Sequence, residues 1–405
     1  MRKVAITGIG LSTPLGASMQ SFASALLGAE SAVHPFETRY SGMVAGARVA
    51  EDPAAPCSRH ELALADRLSQ LAMLAAGRAL DDAGLAGGSP LLAGAGLFVG
   101  NGSGPSHSVA EAYAALAESG RMPALALLRC MHNAPASHVS IRYGIRGPSH
   151  AYAAACASAS VAIGEALRSI RHGYTDIALV GGSESPFGDG VLKAWDGLRV
   201  LAPVDRDGNT PGCRPFARQR NGIVLGEGAA FFVLEAHEHA LARKAHVHGY
   251  LAGYGASSDA RHFTEPDTAG QVAAMRAALQ DSGLAPKDIG YVNAHGTGTK
   301  TGDAVEARSI TQVFSECEQP LVSSTKAAHG HLLGASGAIE LAACMAVLEH
   351  GLVPPGLNLD EPDPECDLNH VGGRAKRLDK PCAVLSNSFA FGGSNACLVV
   401  SPAEH

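Results

Sequence analysis

Short apolar stretches alternate with longer amphipathic ones along this chain. Apolar runs bounded by polar or glycine residues are typical of buried strands, and five stand out: GLFVG, DIALVGG, AAFFVLE, IGYVNAHG and CAVLSNS. Two longer segments repeat apolar residues at helical spacing and end at glycine: ELALADRLSQLAMLAAGRALDDAG and AGQVAAMRAALQDSG. Strands that alternate with helices in this way predict an α/β fold.

A long internal repeat divides the chain. ALDDAGL at residues 79–85 returns as ALQDSGL at residues 278–284, and each copy precedes a strand that opens into a glycine-rich loop. Each loop is followed by a helix (VAIGEAL, then GAIELAA) and by a strand that ends in a polar turn (LVGGSES, then LSNSFAFGGSN). We therefore expect two similar halves, residues 1–240 and 241–405, with a site at their junction that draws residues from both.

Composition and charge narrow the classes of protein. The chain has 405 residues, is 46% hydrophobic and carries a formal charge of −7, which argues against nucleic acid or an anionic membrane as a partner. The start, MRKVAITGIG, predicts a strand and a turn rather than a signal peptide, and we expect no apolar run to reach the length of a membrane span. The nine cysteines include no CxxC pair, which favours the reducing cytoplasm over a disulfide framework. The histidines show none of the spacings typical of zinc sites, so no metal site is predicted.

One thiol, Cys156, stands in the small-residue stretch ACASAS, directly before a helical pattern. A cysteine among alanines is ordinarily a small buried hydrophobic residue. If the helix begins at or just after Cys156, however, its free backbone N–H groups and its dipole favour a thiolate and can hold an oxyanion. The position therefore predicts a nucleophile.

Three further segments carry reactive side chains among small residues. VNAHGTGTKTGDAVEARS, SSTKAAHGHLLGASGAIE and SNSFAFGGSN are predicted to follow the ends of strands. They supply these candidates: His295, Thr297, Thr299, Asp303 and Glu306 in the first; Lys326, His329 and His331 in the second; Phe391, before two glycines, in the third. Taken singly, each could be an ordinary loop, core or hairpin residue, but together they describe a thiol, separated histidines, a lysine and a flexible aromatic turn.

The ordered motifs ACASAS, NAHGTGT, SSTKAAHGHLLGASG and NSFAFGGSN resemble the β-ketoacyl-acyl-carrier-protein synthases of the type II, chain-elongating kind. The resemblance spans nearly the whole chain and implies a thiolase-like fold with αβαβα layers. It implies that Cys156 takes an acyl group from a carrier protein. Malonyl carrier then loses CO2, and the carbanion attacks the acyl-cysteine, while His295 and His331 stabilise the developing oxyanion.

The resemblance also assigns supporting roles. Lys326 is expected to pair with Glu306 and to order the histidines. The backbone N–H groups of Cys156 and Phe391 are expected to form an oxyanion hole. The remaining expected site residues are Ala390 and Gly392 in the gating turn, Thr297 and Thr299 against the pantetheine arm, and Ser103 and Phe389 in the acyl pocket.

Several positions depart from the pattern of that family. His329 stands where threonine is common, Ala390 where glycine is usual, and Ala217 where an acidic residue often follows Phe216. Because glycine permits backbone angles that alanine resists, Ala390 is expected to stiffen the turn. Ser103 and Pro105 replace an apolar residue and a glycine near the expected acyl pocket. These changes indicate either an altered acyl pocket or neutral drift.

Alternative functions follow from the same resemblance. The chain could serve general fatty-acid synthesis, or a specialised polyketide, polyene or modified fatty-acid pathway alongside a chain-length-factor-like subunit. A non-catalytic chain-length factor is disfavoured because Cys156, His295 and His331 are all present. A thiolase is disfavoured because NSFAFGGSN holds no second cysteine and Cys397 lies beyond it.

Partners also follow from that chemistry. An acidic acyl carrier protein is expected to dock on basic residues near the pocket mouth, with Arg67 and Arg129 as candidates. A homodimer, or a heterodimer with a chain-length factor, is expected by analogy with the family. No redox cofactor or catalytic metal is expected, because the substrates arrive on phosphopantetheine.

Overall fold

A computed structural model describes residues 1–85, 88–204, 212–380 and 382–403. Its strands are β1 Val4–Ser12, β2 Val33–Thr38, β3 Gly42–Ala47, β4 Gly96–Gly100, β5 Ser149–Tyr152, β6 Ile177–Glu184, β7 Leu225–Gly226, β8 Gly228–Ala236, β9 Gly249–Ser258, β10 Ile289–Asn293, β11 Leu321–Ser323, β12 Leu352–Val353, β13 Lys376–Arg377, β14 Ala383–Phe389 and β15 Ser394–Pro402. Its α-helices are α1 Met19–Leu27, α2 Arg59–Leu64, α3 Arg67–Asp82, α4 Ser106–Ser119, α5 Ala126–Cys130, α6 Ala134–Tyr143, α7 Ser158–Arg171, α8 Asp189–Gly197, α9 His237–Ala242, α10 Thr268–Ser282, α11 Lys300–Val313, α12 Lys326–His329 and α13 Ser336–His350. All five apolar runs predicted as strands lie in strands.

Ten strands form one mixed sheet in the order β11-β10-β14-β15-β9-β1-β8-β6-β4-β5. In the first half β4 lies parallel to β5 and β6, and β6-β8-β1 continue antiparallel. In the second half β10 lies parallel to β11 and β14, and β14-β15-β9 continue antiparallel. The halves meet where β1 pairs with β9. This repeated topology confirms two similar halves, while the boundary at residue 240 stays a prediction.

Helices cover the two halves of the sheet in layers. Helices α7 and α13 contact each other and strands of both halves, so they form the central layer. On the outside, α3 and α6 pack against the first half and α10 and α11 cover the second. The largest cluster of buried apolar side chains draws on both halves through this central layer. The expected αβαβα arrangement of a thiolase-like fold is confirmed.

The central helix α13 is apolar on nearly every side. By length and composition alone, Leu333–His350 could cross a membrane, but 83% of it is buried inside the fold. A helix that packs between two sheet halves has no solvent face to fill with polar residues. The prediction that no apolar run reaches the length of a membrane span is therefore wrong, and burial in the fold accounts for the apolar composition of this helix.

The first long amphipathic segment is broken, which the sequence did not predict. It was expected to be one helix, but it forms α2 and α3, which meet at a buried aspartate, Asp66. The Asp66 carboxylate accepts hydrogen bonds from the backbone N–H groups of Leu68 at 3.1 Å and Ser108 at 2.7 Å. Asp66 therefore starts α3 as its N-cap and ties it to α4.

Candidate active site

The thiol of Cys156 lies at a sharp bend before the central helix α7, which begins two residues later at Ser158. The preceding residue, Ala155, has a φ of +46°, in the left-handed region that alanine rarely adopts. The Ser158 hydroxyl stabilises the bend by accepting from the Ala154 N–H at 2.8 Å and donating to the Ala155 carbonyl at 2.7 Å. The backbone N–H of Phe391 faces the Cys156 sulfur. The expected position at a helix start is confirmed.

Two histidines from the second half face this thiol from the first. His331 Nε2 lies 3.0 Å from Cys156 Sγ, and the His295 and His331 rings meet edge-to-face with centroids 5.3 Å apart. The three side chains are buried, and their nitrogen and sulfur ligand atoms all lie within 4.8 Å of one another. Such a cluster could also hold a metal ion, so the expected absence of a metal stays a prediction.

Both histidines are held neutral. Burial lowers the pKa of His295 and His331 well below the ordinary value, and the charge of Lys326 lowers both further. Lys326 Nζ lies 3.4 Å from His295 Nδ1, and an ammonium group can only donate, so the ring proton of His295 is on Nε2. His331 Nδ1 lies 2.8 Å from the Ser336 hydroxyl, which can donate to it in the same way. Each ring can then present an Nε2–H to the cavity.

Burial raises the pKa of the Cys156 thiol to about 12, although the nearby Lys326 charge works in the opposite direction. The sequence predicted that the helix start would favour a thiolate. That prediction is wrong for the resting thiol because the loss of hydration outweighs the helix dipole, which contributes at most ~2 kcal/mol.

We expect the rate at which iodoacetamide alkylates Cys156 to rise with pH. A thiol with a raised pKa gains thiolate steadily, so the rate should increase by about tenfold per pH unit between pH 7 and pH 9. Peptide mass spectrometry separates Cys156 from the other cysteines. A rate that levels off near neutral pH would show that the thiol is already ionised.

The buried lysine pairs with a different carboxylate from the one expected. Lys326 Nζ donates to Glu340 in α13, and both side chains are fully buried. Glu306 instead accepts from the backbone N–H groups of His295 and Gly296, both at 2.8 Å. The expected Lys326–Glu306 pair is therefore wrong. Glu306 holds the turn that carries His295, and Lys326 reaches the ring itself.

We expect Lys326→Met to lower the free energy of unfolding by about 3–5 kcal/mol, because it leaves the Glu340 carboxylate buried without its counter-charge. The double variant Lys326→Met/Glu340→Leu should recover most of this loss, as urea denaturation can measure. Lys326→Met/Glu306→Gln is the matched control and should recover none. If stability is recovered by Lys326→Met/Glu306→Gln and not by Lys326→Met/Glu340→Leu, then Lys326 pairs with Glu306 after all.

A cavity of about 700 Å³ reaches Cys156, His295 and His331 from the surface. Six further expected site residues line it: Thr297, Thr299, Glu306, Phe389, Ala390 and Phe391. The two threonine hydroxyls lie 3.1 Å apart, so together they offer a polar strip on one wall. Ser103 is not part of this lining. Its backbone N–H donates to the buried carboxylate of Glu184 at 3.2 Å, and its place in an acyl pocket stays a prediction.

One of the predicted site residues, His329, makes its contacts inside the fold rather than at the cavity. His329 is fully buried between the Gly330 carbonyl at 2.8 Å and the Thr325 hydroxyl at 2.9 Å, and burial lowers its pKa to about 3. It is a neutral core histidine.

Both guanidinium groups suggested for carrier docking are ion-paired, Arg67 with the buried Glu227 and Arg129 with Glu111, which makes them poor docking residues.

The gating loop, residues 390–393, connects β14 and β15. Its left-handed positions are Gly392 and Gly393, with φ of +83° and +77°, and Ala390 is not among the described non-glycine residues with positive φ. The alanine therefore adds no backbone strain, contrary to the expected stiffening by glycine loss. Gly392 N–H donates to the Phe263 carbonyl at 2.7 Å, so a second loop contacts the gating loop.

The sequence reading missed two neighbours of this loop. They are the loop around Phe263 and the ring of Trp195 in α8, which stacks on Phe391. No motif marks either one. The only available signal was that Trp195 is the single tryptophan of the chain.

This site can transfer an acyl group, because the Cys156 thiol can carry it as a thioester. It can also stabilise an oxyanion, because the two neutral histidines and the Phe391 N–H are hydrogen-bond donors. Two family models match the chain: Beta-ketoacyl synthase, N-terminal domain, over residues 1–240, and Beta-ketoacyl synthase, C-terminal domain, over residues 248–360. The chain belongs to the β-ketoacyl synthase family and is a condensing acyltransferase that makes β-ketoacyl products.

The chain is similar to proteins of two kinds described below. It is 41% identical over 404 residues to a nodulation protein E of Rhizobium sp. (strain N33), covering 98% of both chains. It is 36% identical over 413 residues to the 3-oxoacyl-(acyl-carrier-protein) synthase 2 of Coxiella burnetii, covering 99% of this chain and 98% of the relative. Among solved structures, the ishigamide ketosynthase/chain length factor superposes with a TM-score of 0.92 at 32% identity, covering 100% of both chains.

Proposed function

We propose that this chain extends an acyl group, held as a thioester on Cys156, by two carbons taken from malonyl carrier protein. One observation carries the proposal: Cys156 Sγ lies 3.0 Å from His331 Nε2, and the backbone N–H of Phe391 faces it at the end of an open cavity. The roles of the other site residues follow from their distances to these atoms.

The first step loads the enzyme. Cys156 sulfur attacks the thioester carbonyl of the acyl carrier, a new C–S bond forms, and the bond to the pantetheine sulfur breaks. The thiol proton of Cys156 ends on the departing pantetheine thiol. The backbone N–H groups of Phe391 and Cys156 hold the oxyanion, and Thr297 and Thr299 accompany the pantetheine arm along the cavity wall.

The second step makes the carbon–carbon bond. The bond between the malonyl carbon and its carboxylate breaks, CO2 leaves, and the electron pair moves onto the thioester oxygen as an enolate. The Nε2–H groups of His295 and His331 stabilise that oxygen. The enolate carbon attacks the acyl-cysteine carbonyl, the C–S bond breaks, and the Cys156 thiolate takes a proton from solvent. The product is a β-ketoacyl carrier.

The acyl substrate is proposed to belong to a specialised pathway rather than to general fatty-acid synthesis. Identity is higher to the nodulation relative than to the synthase 2 relative, and the small Ser103 stands where an apolar residue is usual. Intact-protein mass after incubation with saturated, polyunsaturated and aryl-bearing acyl carriers tests this. Rapid loading by ordinary saturated chains would place the enzyme in general elongation instead, and no loading by any carrier would reject the proposed function.

An acidic carrier protein is proposed to dock at the cavity mouth, in the cytoplasm. Arg199 and Lys300 line the cavity and are exposed, and the apolar Leu198 and Phe263 stand exposed beside them. We expect Arg199→Glu to raise the KM for the carrier by about tenfold, with an effect that weakens as salt increases, because a docking charge acts through a screened field. Arg374→Glu, at an exposed arginine that does not line the cavity, is the control and should leave KM unchanged.

A second ketosynthase-like chain is proposed to cover the outer face of the first half. The edge strand β5 is largely exposed, and beside it α4, α5 and α6 expose Tyr113, Leu127 and Ile141. A solvent-exposed apolar patch next to an open sheet edge is typical of an interface. Light scattering of the chain alone and with a candidate partner distinguishes a homodimer from a heterodimer.

A further inference from the structure

The single tryptophan of the chain lies against the gating loop. Trp195, in the short helix α8, stacks on Phe391 with ring centroids 6.0 Å apart and planes 24° from parallel. Both rings are half-buried, and both line the cavity that leads to Cys156. Aromatic pairs in this geometry contribute about 0.5–1.5 kcal/mol beyond the area they bury.

The other side-chain contacts of the gating loop are made by the residues on either side of Phe391: Ala390 packs against the apolar cluster that contains Cys156, and the Asn395 amide donates to the Gly393 carbonyl at 3.3 Å. A Cβ added at Gly392 would meet no atom of the described residues within 4 Å, so Gly392 itself gives the loop no packing contact on that side. The backbone bonds of the loop, from Gly392 to Phe263 and from Gly393 to Ala390, hold its far end. The Phe391 ring itself stacks on Trp195, and this contact restricts the position of the Phe391 side chain.

Trp195 is itself firmly placed. It packs against the apolar cluster that contains Cys156, Phe187, Leu192 and Leu333. Its carbonyl accepts from the backbone N–H of Leu198 at 3.2 Å, which closes the end of α8. The same apolar cluster therefore contacts Cys156 and Trp195, and Trp195 in turn stacks on Phe391, whose N–H faces Cys156.

We propose that Trp195 is a positioning residue for acyl transfer: its ring holds Phe391 so that the Phe391 N–H points at the reacting thioester oxygen. This inference rests on the proposed function, in which that N–H is half of the oxyanion hole. Because small misplacements of such a donor are costly, loss of the ring slows acyl transfer at saturating carrier and leaves carrier binding nearly unchanged.

The test compares three variants in α8. Rates of acyl loading at saturating acyl carrier and KM values are measured by intact-protein mass. Trp195→Ala should load roughly 10- to 100-fold more slowly with KM within about twofold. Trp195→Phe keeps a ring for the stack and should load within about threefold of the unmodified chain. Lys193→Ala, an exposed position on the same helix, should change neither value.

Fluorescence gives a second readout because Trp195 is the only indole. Acyl loading of the unmodified chain should change the Trp195 emission with the same time course as the mass change, and Cys156→Ala should show no change. Loading of Trp195→Ala at the unmodified rate, or equally slow loading of Trp195→Phe, would overturn the inference while leaving the proposed function intact. If the unmodified chain takes no acyl group from any carrier, the proposed function fails and this inference fails with it.

Discussion

Cys156→Ala is expected to take up no acyl group from any carrier and to lower the condensation rate by roughly 10⁴-fold or more. The alanine keeps the bend before α7 and the N–H of Phe391 but removes the sulfur to which the acyl group would be attached. Intact-protein mass measures the loading, and chromatography of the carrier-bound product measures the condensation.

The matched control for this loss is Cys317→Ala. Cys317 is a half-buried free thiol beyond the end of α11, and its sulfur donates to the Phe314 carbonyl at 3.6 Å. Its removal should leave loading and condensation unchanged. Acyl loading of Cys156→Ala at the unmodified rate would transfer the nucleophile role to another residue and would reject the proposed mechanism.

The second large effect is expected from the paired histidines. His295→Ala and His331→Ala should each lower the rate of CO2 release from malonyl carrier by roughly 10²–10³-fold, because each removes one donor to the developing enolate oxygen. Isotope release from carboxyl-labelled malonyl carrier measures this step. The two losses should not add in full, since both donors act on one oxygen.

Acyl loading separates this role from damage to the fold. Both histidine variants should still form an acyl-cysteine, His295→Ala more readily because, of the two histidines, His331 is the one within hydrogen-bond distance of the Cys156 sulfur. His350→Ala, at the exposed end of α13, is the control and should keep full CO2 release. Normal CO2 release from His331→Ala would refute its assignment as a donor.

The protonation states of the site follow from burial rather than from the motifs. Sequence reasoning placed a thiol at a helix start and inferred a thiolate, whereas the structure encloses Cys156 and raises its pKa to about 12. The same enclosure, with Lys326 nearby, keeps both histidines neutral at pH 7, so both remain N–H donors. A neutral thiol beside neutral donors requires the thiol proton to leave as the thioester is attacked.

The sequence identified Lys326 as a paired lysine of the site but predicted the wrong carboxylate as its partner. Both Glu306 and Glu340 lie within about 20 residues of Lys326 in the sequence. Charge alone allows Lys326 to pair with either carboxylate. The direction of α13 places Glu340 against Lys326, while the start of α11 turns Glu306 toward the backbone of His295. Side-chain direction is a property of the packed helices, which sequence spacing does not encode.

The sequence by itself determined the α/β class, the internal repeat, the family and the short segments in which the thiol and the histidines lie. These follow from local patterns: apolar runs, helix starts and ordered motifs. The tertiary structure alone decided the protonation of the site, the partner of Lys326, the break at Asp66 and the stacking of Trp195 on Phe391. Each of these depends on burial or on contacts between segments distant along the chain, and no local pattern records which groups lose water or meet when the halves pack.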